Sequence, residues 1–166
     1  MTFNRNKIKL HLILQTVNEQ SNFKDEYREQ IFNTIRDILQ NIGTNTLPSG
    51  KVFHITGYTD HVHIIFLMPF DISLTDLINE LKKQTKEKFD TSEWFDKEFF
   101  WKEYYAIFSL PFSLSTETIT EQELIKNQEQ YHKHISFKEE LSSAMRRNKF
   151  AITDEIRSEM KVEKNF

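Results

Sequence analysis

One stretch dictates much of what this chain can become. Asp60-His61-Val62-His63-Ile64-Ile65-Phe66 sets two histidines on either side of a valine, inside an apolar run. A β-strand sends alternate side chains to the same face. His61 and His63 therefore project together, with Val62 and Ile64 on the opposite face. Two imidazoles side by side on a rigid strand can hold one divalent metal. A third ligand and an open coordination position would make a phosphate-activating site. Taken alone, two histidines on a strand are more often packed, hydrogen-bonded or partly exposed structural residues.

The rest of the chain supplies a sheet for that strand. Ile8, Leu10, Leu12 and Leu14 alternate with Lys9, His11 and Gln15, interrupted by Ile13, which is the pattern of a half-buried strand. Tyr27, Ile31, Ile35, Ile38, Leu39 and Ile42 recur at helical spacing, and Gly43 suits the left-handed position after a helix end. Lys51–Tyr58 and His61–Met68 read as two strands joined by Gly57-Tyr58-Thr59-Asp60, a hairpin. Ser73–Phe89 reads as a helix with Leu74, Leu77, Ile78 and Leu81 inward. An aromatic cluster around Trp94, Phe95, Phe99, Phe100 and Trp101 leads to a short strand, Tyr105–Leu110. Thr120-Glu121-Gln122-Glu123 has capping-box form and predicts a helix to about His134. Ser136-Phe137-Lys138-Glu139 repeats that signature for a C-terminal helix. The order β-α-β-β-α-β-α predicts an α+β fold: a ferredoxin-like or RRM-like antiparallel sheet with helices packed on it, plus C-terminal helices.

Composition narrows the class. A chain of 166 residues suits one domain, 1–166, with a core of about 8–155. At 38% hydrophobic and 28% charged it is expected to fold as a soluble globule. No apolar stretch approaches the ~20 residues of a membrane helix. The N-terminus lacks the apolar core of a signal peptide. Cysteine is absent, which excludes disulfide and thiolate chemistry. A cytoplasmic protein with no membrane partner is the expectation. The net charge of −3 requires a nucleic-acid binder to concentrate its cations locally.

Taken in order, these segments resemble the single-tyrosine HUH transposase family of small insertion sequences and REP-associated relatives. Asp60 to Ile65 matches the family's His-apolar-His strand. Leu81-Lys82-Lys83-Gln84-Thr85 resembles its following helix motif. Trp101 to Phe108 resembles its Trp-Gln…Gly-Tyr…Phe segment, with Lys102 for the glutamine and Tyr104 for the glycine. Ile125-Lys126-Asn127-Gln128, with Ser136-Phe137-Lys138-Glu139-Glu140 behind it, matches the nucleophile helix and its sequel. Leu10-His11-Leu12 and Gln15-Thr16 also fit. The resemblance implies that His61, His63 and Gln128 bind Mg²⁺ or Mn²⁺ beside a scissile phosphate of single-stranded or hairpin DNA. It also implies a homodimer. In the family a helix tyrosine attacks phosphorus, leaving a 5′-phosphotyrosine link and a departing 3′-hydroxyl.

The family's tyrosine stands one position before its Ile-x-Asn-Gln. Here that position is Leu124, which has no nucleophilic atom. The leading expectation is a transposase-like protein that binds structured single-stranded DNA at a His-His-Gln metal site and lacks the tyrosine strand-transfer step. An active transposase using a substitute such as Tyr131, which shares a helical face with Gln128, is the alternative. A metal-free structural or protein-interaction module is a third reading. Lys82, Lys83 and Lys86, with Lys88, could track a phosphate backbone or form a solvated helix face. Tyr104 and Tyr105 read as packing residues. His11, His54, His132 and His134 read as structural or solvated.

Overall fold

The computed structural model describes residues 7–18, 21–43, 52–110, 127–151, 153 and 154. The chain divides into two compact units, residues 1–128 and residues 129–166.

The first unit is built on four strands: β1 (Lys9–Gln15), β2 (Val52–Gly57), β3 (His61–Leu67) and β4 (Ala106–Leu110). They pair antiparallel throughout, in the order β2-β3-β1-β4. Helix α1 (Arg28–Asn41) connects β1 to β2 and helix α2 (Leu74–Asp90) connects β3 to β4. This is the α+β, β-α-β-β-α-β arrangement expected from the sequence, with the histidine strand in the interior of the sheet.

Alternation decides which face each side chain takes. Leu10, Leu12 and Leu14 of β1, Val62, Ile64 and Phe66 of β3, and Val52 and Ile55 of β2 enter the hydrophobic core. There they meet Ile31, Ile35 and Leu39 of α1 and Leu77, Ile78 and Leu81 of α2. The other face carries His11, Ile13 and Gln15 beside Ile65, His63 and His61, their partners in the β1–β3 register. His54 and Thr56 lie opposite Ile65 and His63 from the β2 side, after an irregularity between Val52 and His54. Phe95, Phe99 and Trp101 of the aromatic cluster join the same core while Phe100 stays exposed: Phe99 packs on Phe89 and Trp101, with ring centroids 4.8 Å from each.

The connections follow local chemistry. Ser73 caps α2 by accepting the Asp76 N–H at 3.1 Å. Gly43 adopts φ 68°, the left-handed position expected of it. Gly57 closes the β2–β3 hairpin so tightly that a Cβ there would lie 2.2 Å from the His61 carbonyl oxygen. The Tyr58 N–H donates to that carbonyl at 3.1 Å. None of the described helices is long and apolar enough to cross a membrane.

The first unit closes at Gln128, the first residue of a single helical turn, α3 (Gln128–Tyr131). Helix α4 (Phe137–Arg147) follows. Residues 120–126 of the helix expected from Thr120, Leu124 among them, fall outside the described residues. Its described part stops at Tyr131 rather than about His134. The Tyr131 carbonyl accepts from both His134 and Ile135, at 3.2 and 3.1 Å, which closes the turn. Ser136 then opens α4 with a complete capping box to Glu139.

Candidate metal centre on the histidine face

The centre begins with the strand pair. His61 is 0% and His63 2% exposed, and their rings meet edge to face with centroids 5.0 Å apart. The resemblance paired them with Gln128, and that carboxamide is indeed adjacent: Gln128 Oε1 lies 2.9 Å from His61 Nε2. On the far side of the same ring, His61 Nδ1 lies 2.7 Å from Asp60 Oδ1.

These two contacts test whether the site suits a cation. A carboxylate oxygen accepts and cannot donate, so the shorter contact draws the ring proton to Nδ1. A neutral ring then presents the Nε2 lone pair to Gln128 Oε1, another lone-pair donor. A second ring proton, a carboxamide turned so that its NH₂ donates to Nε2, or a cation each resolves that confrontation. Ligand atoms about 2.1 Å from Mg²⁺ and at right angles lie about 3.0 Å apart. The 2.9 Å between His61 Nε2 and Gln128 Oε1 fits two ligands on one ion as well as it fits a hydrogen bond. Asp60 would orient the ring from behind, as carboxylates do for metal-ligating histidines.

His63 is held by a residue that sequence reasoning left among structural histidines. His11 Nε2 lies 2.9 Å from His63 Nδ1. One nitrogen must donate and the other accept. If His63 Nδ1 donates, its Nε2 is the lone-pair nitrogen. His11 sits in β1 in plain alternation with Leu10 and Leu12, but only the β1–β3 register reveals what it touches. Asp60 was visible as the residue before His61, without a role attached.

The lysines expected to contact DNA have distinct surroundings. Lys82 Nζ donates to the carbonyls of Lys102 and Glu103, at 2.7 Å each, and sits over the Tyr105 ring. Burial pulls its pKa below the ordinary lysine value, against the opposing pull of the Glu103 charge. Lys86 Nζ bridges Asp90 at 2.6 Å and Glu98 at 2.7 Å, and sits over the Phe100 ring. Partial desolvation works to lower its pKa, but the two carboxylates outweigh this and raise it. Lys83 is exposed, as is Lys88.

Tyr131 belongs to the second unit. Burial, followed by the charge of Glu140, raises its phenol above the ordinary value, which works against forming a phenolate. In the same unit His132 Nε2 lies 3.1 Å from Glu140 Oε2, and His132 Nδ1 lies 2.7 Å from the Ile135 carbonyl. His134 is exposed.

The fold is similar to that of a candidate transposase from Deinococcus radiodurans R1, at 20% identity and a TM-score of 0.52, over 77% of this chain and 98% of that one. A REP-associated tyrosine transposase solved with a REP hairpin aligns at 13% identity and a TM-score of 0.44, over 74% of this chain and 66% of that one. No curated protein matches the chain. The model of the IS200-like transposases matches residues 4–128, which take in the whole four-stranded sheet, the histidine pair and Gln128. The chain belongs to the IS200-like transposase family.

Proposed function

We propose that this chain binds structured single-stranded DNA, hairpins included, at a divalent-metal site formed by His61, His63 and Gln128, and that position 124 contributes no phosphotyrosine step. The observation that carries this is the 2.9 Å approach of Gln128 Oε1 to His61 Nε2, with Asp60 on the ring's other nitrogen. Family membership supplies the substrate class. When bound, Mg²⁺ or Mn²⁺ would polarise a phosphoryl oxygen and neutralise its developing charge. The chain's own residues do the rest. Asp60 and His11 hold the two imidazoles, and Gln128 offers its carbonyl oxygen from α3. Of the lysines on α2, Lys83 and Lys88 have the exposure that suits a phosphate contact, with Lys82 and Lys86 shaping the surface around Lys83. A homodimer with a single domain per chain is part of the same reading, since the family works in that form.

Fluorescence anisotropy with a labelled single-stranded hairpin tests the proposal. Binding is expected to require Mn²⁺, to fall as salt rises, and to lose its Mn²⁺ dependence in His63→Ala. Lys83→Ala should reduce the slope of log affinity against log salt by about 0.7, the share of one phosphate contact on a single strand. Binding indifferent to Mn²⁺, or equal for hairpin and fully paired duplex, would overturn it.

A further inference from the structure

The histidine face holds a phenol that the metal reading does not use. Tyr104 Oη donates to Gln15 Oε1 at 2.6 Å. Gln15 is 4% exposed and stands directly opposite His61 in the β1–β3 register. Residues opposite each other across an antiparallel pair have Cα atoms about 4.5–5.5 Å apart and side chains on one face. The Tyr104 hydroxyl is therefore bonded to the side chain that flanks His61. Lys102 Nζ lies 3.2 Å from the same hydroxyl and 5.4 Å from the ring centroid.

The seat of this phenol is built from several sides. The Lys102 N–H donates to the Gln15 carbonyl at 2.8 Å, and Trp101 bridges to Thr16. Trp101 Nε1 donates to Thr85 Oγ1 at 2.8 Å, inside the core. Lys82 clamps the carbonyls of Lys102 and Glu103, immediately before Tyr104. The hydroxyl thus has an ammonium as donor and a buried amide as acceptor.

We propose that Tyr104 is the nucleophile of a transesterification on single-stranded DNA, supplying from the sheet edge the phenol that position 124 lacks. The inference rests on the metal-site reading given above. A phenol is a weak nucleophile until its oxygen carries charge, and the Lys102 ammonium stabilises that charge. The Tyr104 oxygen bonds to the phosphorus of a phosphodiester, and the bond from phosphorus to the 3′ oxygen breaks. The proton given up by the phenol ends on the departing 3′ oxygen. One phosphodiester is exchanged for another, so no oxidant, reductant or co-reactant enters.

The test uses the full chain, Mn²⁺ and a 3′-labelled single-stranded oligonucleotide library with a fixed hairpin and randomised flanks. A covalent adduct is expected on a denaturing gel, with mass mapping placing the nucleotide on the peptide that contains Tyr104. Tyr104→Phe should reduce the adduct at least 100-fold while leaving Mn²⁺ binding in place, which also reports that the variant folds. Lys102→Met should slow adduct formation about 100-fold, and Tyr105→Phe should leave it unchanged. No adduct from a preparation that binds both Mn²⁺ and the hairpin, or an adduct that persists in Tyr104→Phe, overturns Tyr104 alone. Failure of the wild-type chain to bind Mn²⁺ overturns the metal reading, and this inference with it.

Discussion

Gln128 and His61 are 67 positions apart in the chain, yet their side chains meet at 2.9 Å. A carboxamide at the start of α3 thus faces the ring nitrogen of a strand histidine whose other nitrogen is committed to a carboxylate. That relationship turns a histidine pair into a candidate three-ligand centre. Gln128→Ala is expected to weaken Mn²⁺ binding at least tenfold in isothermal titration, since a ligand should matter no less than the groups that orient it. An unchanged titration would remove Gln128 from the centre.

His11 provides a second, separate check. It lies 2.9 Å from His63 and offers it an acceptor that would fix the ring's tautomer. Partners of this type change metal affinity by about 10–100-fold when removed. His11→Ala should weaken Mn²⁺ binding within that range. His11→Gln, which keeps an acceptor in reach, should lose less. Equal losses in the two variants would mean that packing, not the hydrogen bond, holds His63.

Much of this was legible before any coordinates, because short-range rules govern it. Period-two alternation in β1 and β3 and helical spacing in α1 and α2 each record which face is buried, and the sheet order follows from their sequence. The histidine pair and Gln128 were visible because they sit in motifs. Contacts between motifs were not. That His11 meets His63, and that Tyr104 meets Gln15, depends on strand register and on where a loop returns, which no local pattern encodes. The lysines of α2 show the same limit. Their spacing left a phosphate track and a solvated face both open, and it did not show that Lys82 and Lys86 turn to carbonyls and carboxylates contributed by residues 90–103.

Gly57 carries a steric prediction. A Cβ at this position would sit 2.2 Å from the His61 carbonyl oxygen and 2.9 Å from Val62 Cα, both of them backbone atoms that cannot rotate aside. Gly57→Ala must therefore open the hairpin next to the first histidine. A loss of about 1–3 kcal/mol is expected from forced overpacking, measured by denaturant unfolding. The same variant should lose Mn²⁺ affinity, because His61 moves with its carbonyl. Wild-type stability in this variant would show that the hairpin is looser than its contacts imply.

Asp90 predicts a dependence on acid. It ends α2 with two obligations: Oδ2 takes Lys86 Nζ at 2.6 Å, and Oδ1 accepts the N–H of the buried Phe99 at 2.8 Å. Desolvation works to raise its pKa, but the hydrogen bonds from Lys86 and Phe99 and the Lys86 charge outweigh it, and the carboxyl titrates below its ordinary value. A group whose pKa is depressed by folding contributes stability above its unfolded value, and that contribution disappears as pH falls through the folded value. Asp90→Asn should therefore cost about 1 kcal/mol at pH 7, a small figure because the ion pair is partly solvated and the amide can still accept from Phe99. Below about pH 4 the wild-type carboxylate begins to protonate, and the gap between the two proteins should close. Urea midpoints at pH 7 and pH 3 measure it directly. A gap of the same size at both would mean that Asp90 acts through shape alone, with its charge contributing nothing to the seat of Phe99.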